Sequence, residues 1–180
     1  MQEEFRKIDN FNNYSVSNTG KIRNDTTGRI LKNVLNTLGY HIVTLINDEK
    51  RCGLRVHRLV AKAFIPNDDP TKDVVDHIDN NPGNNNVSNL RWVSQRENTM
   101  NSTISKNNSS GVKGVSLHKK SGKWSAYIWQ NRKKVHLGLF RTKEEAILAR
   151  VNAAEEMFGE YINNCERNII INIQNLNINQ

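Results

Sequence analysis

The sequence predicts an α+β chain of small modules, with a central strand–turn–strand–helix core and a C-terminal three-stranded antiparallel sheet packed on one helix. Three observations predict it. Two capping boxes, Ser94 to Glu97 and Thr142 to Glu145, each open a helix just after strand-forming segments. Period-two alternation recurs in the N-terminal region and again through residues 112–140. A Ser/Asn-rich stretch, Asn101 to Ser110, reads as a linker between them.

Residues 1 to about 50 read as short strands and turns. Tyr14 to Arg23 alternates, turns at Gly20 and alternates again, and Tyr40 to Ile46 reads as a further strand. The segment is too small to hold a large core alone and is expected to pack on the elements C-terminal to it. Val56, Leu59, Val60, Ala63 and Phe64 recur at helical spacing, and Pro66 ends that helix. Val74 to Asp79 is a short strand, Asn80 to Asn86 a polar turn, and Leu90 to Val93 the return strand. After the linker come strand candidates at 112–118, 124–130 and 134–140. The last helix carries Ala146, Ala149, Ala153 and Met157 on one face, with Gly159 as its C-cap. The Asn/Ile-rich tail from Asn163 permits a strand without requiring one.

The 180 residues carry a formal net charge of +8, which points to a polyanionic partner, nucleic acid before membrane. The charge is concentrated. Between Glu97 and Glu144 there is no acidic residue, while ten Lys and Arg residues fall in that gap. The apolar runs are too short to span a bilayer, and the acidic N-terminus lacks the order of a signal peptide. Cys52 and Cys165 form no CxxC pair, so a thiolate zinc site is not expected and a reducing, intracellular setting is. With 28 asparagines in the chain, an isolated Asn carries little weight, and only Asn at motif spacing is informative.

The informative stretch is Asp76-His77, then Asn89, then Asn98. A phosphodiester hydrolase needs a base to activate water, and a divalent cation to hold the phosphate and neutralise the leaving oxygen. A neutral imidazole suits the base; a carboxylate and an amide oxygen suit a hard cation such as Mg²⁺. Closing the hairpin onto the helix brings the four residues together. Neighbours in a regular strand face opposite sides, so a shared site requires a twisted or irregular strand at Asp76-His77, and such a distortion is expected.

The segments Asp76 to Asn81, Asn85-Asn86, Ser88 to Val93 and Arg96 to Asn98 resemble the HNH endonuclease motif of phage and intron homing enzymes. The match runs from about Val56-His57-Arg58 to Asn98. The resemblance implies a ββα-metal core over residues 53–104, with His77 as general base, Asp76 and Asn98 as metal ligands, and Asn89 orienting the base and pinning the loop. The motif often closes with His; Asn98 is a weaker ligand for soft metals and favours Mg²⁺ or Mn²⁺ over Zn²⁺. The usual Gly two places after Asp79 is replaced by Asn81, whose residue type tolerates left-handed backbone. Two readings stand for His57, a packing or capping residue and a group at the site's edge. Two also stand for Asp79, support of the site and turn formation.

Tyr14 to Arg23 resembles the nuclease-associated modular motif found before HNH domains. For residues 1–52 this implies DNA contact, with Lys21 and Arg23 as phosphate binders; the alternative is a small structural β-unit. In the C-terminal sheet, Val115, Leu117, Ala126, Ile128, Val135, Leu137 and Leu139 form an apolar face. Ser116, His118, Tyr127, Trp129, Lys134 and His136 form a basic, aromatic one, of the makeup expected of a sheet laid in a DNA groove unless another part of the chain covers it. Gly114-Val115, Gly122-Lys123-Trp124, Leu137 to Phe140 and Glu145 to Ala154 look like the Apetala-type (ethylene-response-factor) DNA-binding domain, over residues 105–162. The matching contact positions are Lys113, Ser116, His118, Tyr127, Trp129, Lys134 and His136. Ser116 and Tyr127 depart from the plant pattern. Residues 163–180 form a tail.

The expected activity is that of a metal-dependent homing-type endonuclease acting on double-stranded DNA as a monomer. The family implies 5′-phosphate and 3′-hydroxyl ends and one nicked strand per active site. The alternatives are a DNA-binding regulator with an inactive nuclease core, which the four competent catalytic positions argue against, and an RNA-binding protein.

Overall fold

A computed structural model describes residues 2–48, 50–102, 104, 107–130, 133–162 and 166–172. Two compact units result, Met1–Asn98 and Thr99–Gln180.

In the first unit, β1 (Phe5–Ile8), β2 (Phe11–Ser17), β3 (Ile22–Asn24) and β4 (Ile30–Leu31) form one antiparallel sheet in chain order. β5 (Val34–Leu35), β6 (His41–Asn47) and β7 (Lys50–Arg55) form a second, and β7 runs directly into α1 (Val56–Phe64). The helix places Val56, Leu59 and Val60 inward at the spacing its sequence shows, and it stops at Ile65, whose extended backbone suits the residue before a proline. β8 (Val74–His77) and β9 (Leu90–Val93) form the hairpin, and α2 (Gln95–Asn101) comes next. The Ser94 capping box is made: Glu97 N–H donates to Ser94 Oγ, and Ser94 N–H to Glu97 Oε2.

One apolar core joins both N-terminal sheets, α1 and the β8–β9 hairpin. Ile8, Tyr14, Val16 and Ile22 from the first sheet and Val43 and Leu45 from the second pack with Val56, Leu59, Val60, Val75 and Leu90. The N-terminal strands thus bury themselves against the later hairpin and helix, which a segment so short requires. Gly20 sits at the closest point. Its φ is +88°, and a Cβ there would lie 2.8 Å from Asn85 Cβ and 3.2 Å from Val56 Cγ1. Asn18 beside it accepts a backbone hydrogen bond from Val87 at 2.8 Å.

Two local expectations concern the β8–β9 hairpin. The β8–β9 register pairs Val74 with Val93 through His77 with Leu90 without a shift, so the strand carries no bulge at Asp76-His77. β8 ends at His77, so the regular alternation of faces stops at that residue. The left-handed residue of the turn after it is Asn80, with φ +60°, rather than Asn81. The turn closes on His77 O, which accepts from Asn80 N–H, and that places the reversal one residue earlier.

In the second unit, β10 (Val115–His118), β11 (Lys123–Gln130) and β12 (Lys133–Phe140) form an antiparallel sheet packed on α3 (Lys143–Phe158). Thr142 and Glu145 cap α3 reciprocally, and Gly159 ends it at φ +50°. The apolar face differs from the alternation in the sequence. Ala126 pairs with Gly138 but Tyr127 with His136, so Leu137 is an extra residue on β12. Gly138, at φ +145°, carries this bulge. Beyond it the strand's phase flips: Phe140 packs on the core and Leu139 is 43% exposed. Leu117, near the β10–β11 turn, is also exposed.

The fully buried stripe of α3 is Ala146, Arg150, Val151 and Ala154; of the expected face Ala146 is buried and Ala153 and Met157 pack partly buried on the core, so the stripe is turned toward Arg150 and Val151. Arg150 is drawn inward by Glu166, whose Oε1 lies 3.0 Å from its Nη1. Glu166 lies in a helical segment, described over residues 166–172, whose Ile169 and Ile170 pack on the two apolar clusters of this unit. The described part of the tail is therefore helix rather than strand, while residues 163–165 and 173–180 lie outside the described residues.

Candidate active site

His77 ends β8 with 6% of its surface exposed. Three rings meet there. His57, the second residue of α1, lies edge-to-face with His77, ring centroids 4.8 Å apart and planes at 64°. Tyr40, just before β6, sits 5.1 Å from His57 and 5.9 Å from His77, and the Arg55 guanidinium lies 5.2 Å from the Tyr40 ring. Burial pushes the His77 imidazole below its ordinary value, against the opposing pull of the Asn85 side chain and the Asp79 and Asp76 carboxylates. His57 is pushed down to about 3, first by burial and then by its neighbour His77 and the cations of Arg55 and Arg58. Both rings are therefore neutral near pH 7.

Asn89 pins the loop after His77. Its Oδ1 accepts from Asp79 N–H at 3.1 Å, and its Nδ2 donates to Asp79 Oδ1 and to Asn84 O, each at 2.9 Å. Asp79 also accepts from Asn81 N–H at 2.8 Å and from Asn84 Nδ2 at 2.7 Å. Burial pushes the Asp79 carboxyl up, but the bonds from Asn84, Asn81 and Asn89 outweigh it and hold it below its usual value. Asp79 thus holds the loop's shape, through bonds within the turn.

Asp76 is as buried as His77 and is held by Arg91, directly opposite on β9. Arg91 Nε and Nη2 each approach Asp76 Oδ2 at 2.9 Å. Asn98 lies on α2, half-buried, with its backbone N–H bonded to Ser94 O. Ring contacts, the Asn89 clamp and the strand pairing gather Tyr40, His57, His77, Asp79, Asn84 and Asn89 around the end of β8; the hydrogen bonds that do so do not include the Asn98 side chain. Among the described residues no group of three or more His, Cys, Asp and Glu could hold a metal ion. By type, one carboxylate and one amide oxygen suit a hard cation that takes its remaining ligands from water and phosphate, and do not make a closed zinc site.

Of the residues read as DNA contacts, Lys21 pairs with Glu3 at 3.0 Å, and Arg23 pairs with Asp25 at 2.9 Å while lying 4.3 Å from the Phe5 ring. Both cations are thus engaged within the N-terminal sheet. Lys113 donates to Met100 O and Ser102 Oγ, which ties it to the start of its unit. The remaining six share the sheet face away from α3. Ser116, His118, Lys134 and His136 are exposed, Trp129 is 57% exposed, and Lys134 Nζ lies 3.8 Å from the Tyr127 ring centroid. Sequence reasoning missed Arg91 and Tyr40. Arg91 had a usable signal, an opposite charge facing Asp76 across a short hairpin; Tyr40 had none, because only the tertiary fold brings it to α1.

A buried histidine at the end of the first hairpin strand, an asparagine clamp from the second and a capped helix behind them define a ββα nuclease core. Residues 3–46 match the NUMOD4 motif and residues 54–100 the HNH endonuclease family. An HNH endonuclease of Acanthamoeba polyphaga mimivirus is 44% identical over 99 residues, 54% of this chain and 29% of its own length. DNA endonuclease I-HmuI of Bacillus phage SP01 is 42% identical over 88 residues, 49% of this chain and 50% of its own. Protein 3.8 of Escherichia phage T7 is 32% identical over 89 residues, which cover 71% of it. The solved structure of the HNH homing endonuclease I-HmuI, described for DNA binding and cleavage, superposes with a TM-score of 0.51 at 28% identity, covering 87% of this chain and 83% of that one. The chain belongs to the HNH endonucleases and carries a NUMOD4 motif ahead of the HNH domain. It spans half or less of the mimivirus and I-HmuI sequences.

Proposed function

We propose that the chain is a metal-dependent DNA endonuclease of the homing type, hydrolysing phosphodiester bonds in double-stranded DNA with His77 as general base. The observation that carries this reading is the His77 imidazole, kept neutral by burial at the end of β8, one residue from Asp76 and just before the loop clamped by Asn89. A neutral imidazole accepts the proton of the water that attacks phosphorus. Asn89 holds the loop after the base in one shape, and Arg91 holds the Asp76 carboxylate. Asp76 and Asn98 would hold a divalent cation, Mg²⁺ or Mn²⁺, which when bound would neutralise charge on the phosphate and its leaving oxygen.

In this reading residues 1–52 and 105–162 are DNA-binding modules flanking a nuclease core at 53–104. The exposed face of Ser116, His118, Tyr127, Trp129, Lys134 and His136 is the stronger candidate contact surface, because its basic and aromatic groups are presented outward. Its three-stranded sheet on one helix supports an Apetala-type reading of that module. Lys21 and Arg23 reach phosphate only by giving up or sharing Glu3 and Asp25. The working unit is a monomer.

Nicking of supercoiled plasmid with Mg²⁺ or Mn²⁺ tests the reading, with His77→Ala as control. Nicking by the wild type that the variant lacks is the expected result. Equal nicking by both removes His77 from the chemistry, and DNA binding without nicking leaves a regulator with an inactive core. A preference for RNA over duplex DNA in competition overturns the substrate assignment.

A further inference from the structure

We propose that His57 is a positioning residue for His77, its ring fixing the plane of the imidazole that serves as general base. The inference rests on the nuclease reading and adds a residue to it.

The need is set by where His77 sits. Its strand ends with it; beyond it Ile78 N–H donates to Asn89 O, Asn80 N–H donates to His77 O, and the Asn89 side chain clamps the loop. These backbone and loop bonds do not touch the imidazole ring; the Asn85 side chain hydrogen-bonds it, and a single such bond leaves the tilt of the ring plane to its packing neighbours. A general base must be held within about 0.5 Å and 10–20° of its working geometry. The rings of His57 and Tyr40 supply this constraint, at 4.8 and 5.9 Å from His77.

His57 is fit for the task because its own position is fixed. It is 3% exposed and lies in α1 between Val56 and the buried Leu59, Val60 and Ala61. Its Nδ1 is buried without a hydrogen-bond partner among the described residues, so this side chain acts through ring contacts and not through that nitrogen. Tyr40 backs it at 5.1 Å, with Arg55 beyond. Burial, and after it the neighbouring His77 ring and the cations of Arg55 and Arg58, keep the ring uncharged, so no imidazolium stands beside the base.

The test uses the full chain, with single-turnover nicking at saturating DNA, duplex affinity measured separately and thermal unfolding as control. His57→Leu keeps an apolar filler without a flat ring; His57→Phe keeps the ring without nitrogen. The expected result is roughly 30–100-fold slower nicking by His57→Leu, the scale of a displacement near 1 Å. Duplex affinity stays within about two-fold of wild type, unfolding stays cooperative, and His57→Phe recovers to within about five-fold. Wild-type rates in His57→Leu overturn the proposal. So do equal losses in both variants, or a loss that tracks DNA affinity. If His57→Leu does not unfold cooperatively, Tyr40→Leu against Tyr40→Phe makes the same comparison on a half-buried residue outside the helix. Nicking lost in His77→Ala but intact in His57→Leu overturns this inference alone; no nicking by the wild type overturns the nuclease reading and this with it.

Discussion

Arg91 directs both Nε and Nη2 at a single oxygen of Asp76, Oδ2, each at 2.9 Å, from the position facing it across the β8–β9 ladder. The pair is nearly dry on the Asp76 side, at 6% side-chain exposure against 17% for Arg91. Removing one partner of a buried pair leaves a desolvated charge and costs about 3–5 kcal/mol when burial is complete. Arg91→Leu is expected to lose roughly 2–3 kcal/mol in urea unfolding, because the partly exposed Arg91 side admits some water to the stranded carboxylate. A loss below about 0.5 kcal/mol would show that Asp76 does not depend on this pair.

Asn89 makes three hydrogen bonds that fix the loop after His77. At about 1 kcal/mol for each net bond, Asn89→Ala loses roughly 2–3 kcal/mol, and plasmid nicking falls by about 10²-fold or more as the loop loses its shape. Asn89→Asp is expected to be worse than a conservative change suggests. It exchanges the donor that faces Asp79 Oδ1 at 2.9 Å for a second carboxylate. Stability of both variants by urea and rate by plasmid nicking check this; an Asn89→Asp chain as stable as the wild type would contradict it.

His57 also ties stability to pH. Its imidazole titrates near 6.5 in an unfolded chain and is pushed down to about 3 when folded. Between those values the unfolded chain binds a proton that the folded chain does not, so acid favours unfolding throughout that window. The loss is complete only near pH 3, on the order of a few kcal/mol. Urea midpoints at pH 7.5 and pH 5 should therefore differ more for the wild type than for His57→Phe. Identical pH dependence in both would show that the ring is not held neutral.

The outward face of the C-terminal sheet predicts a separation of binding from stability. Trp129 is 57% exposed and Lys134 lies over the Tyr127 ring. Trp129→Ala should leave thermal unfolding within about 0.5 kcal/mol, since it is a surface change, and weaken duplex binding by roughly 1 kcal/mol or more. Lys134→Ala should lower the slope of log affinity against log salt by about one. Unchanged affinity in both variants would remove this face from DNA contact.

Arg150 and Glu166, 4% and 1% exposed, hold the segment at 166–172 to α3. Glu166→Leu alone is expected to cost about 3–5 kcal/mol in the second unit, whereas the double change Arg150→Met with Glu166→Leu recovers most of it, because an apolar pair of similar volume often equals a buried ion pair. A double variant no better than the single one would assign the loss to packing rather than to the stranded guanidinium.

How far the sequence could be read depends on the range of the interactions involved. α1 matched its apolar spacing to the residue, and both capping boxes formed, because their causes lie within one or two turns of chain. The β8–β9 hairpin likewise arose from local alternation and a polar turn. The bulge at Gly138 was invisible because alternation alone does not say where an extra residue is absorbed, and it moved Leu139 outward and Phe140 inward. Arg150 is buried because Glu166, sixteen residues later, gives it an interior partner, a pairing that helical spacing alone does not show. The site shows the same division. Asp76, His77 and Asn89 stand out by type and spacing, while the ring contacts of Tyr40 and the ion pair of Arg91 arise only when separate strands are brought alongside each other.

The apolar core that joins Tyr14, Val16 and Ile22 to Val56, Val60 and Leu90 constrains how this protein could be recombined. A chimera spliced between residues 52 and 53 would tear that shared interior and expose oily surface on both fragments, with Gly20 left to meet a foreign neighbour in place of Asn85. Exchange of parts is far easier at the boundary between the two units, so retargeting by transplantation should carry residues 1 to 98 as one cartridge and vary only the residues C-terminal to it.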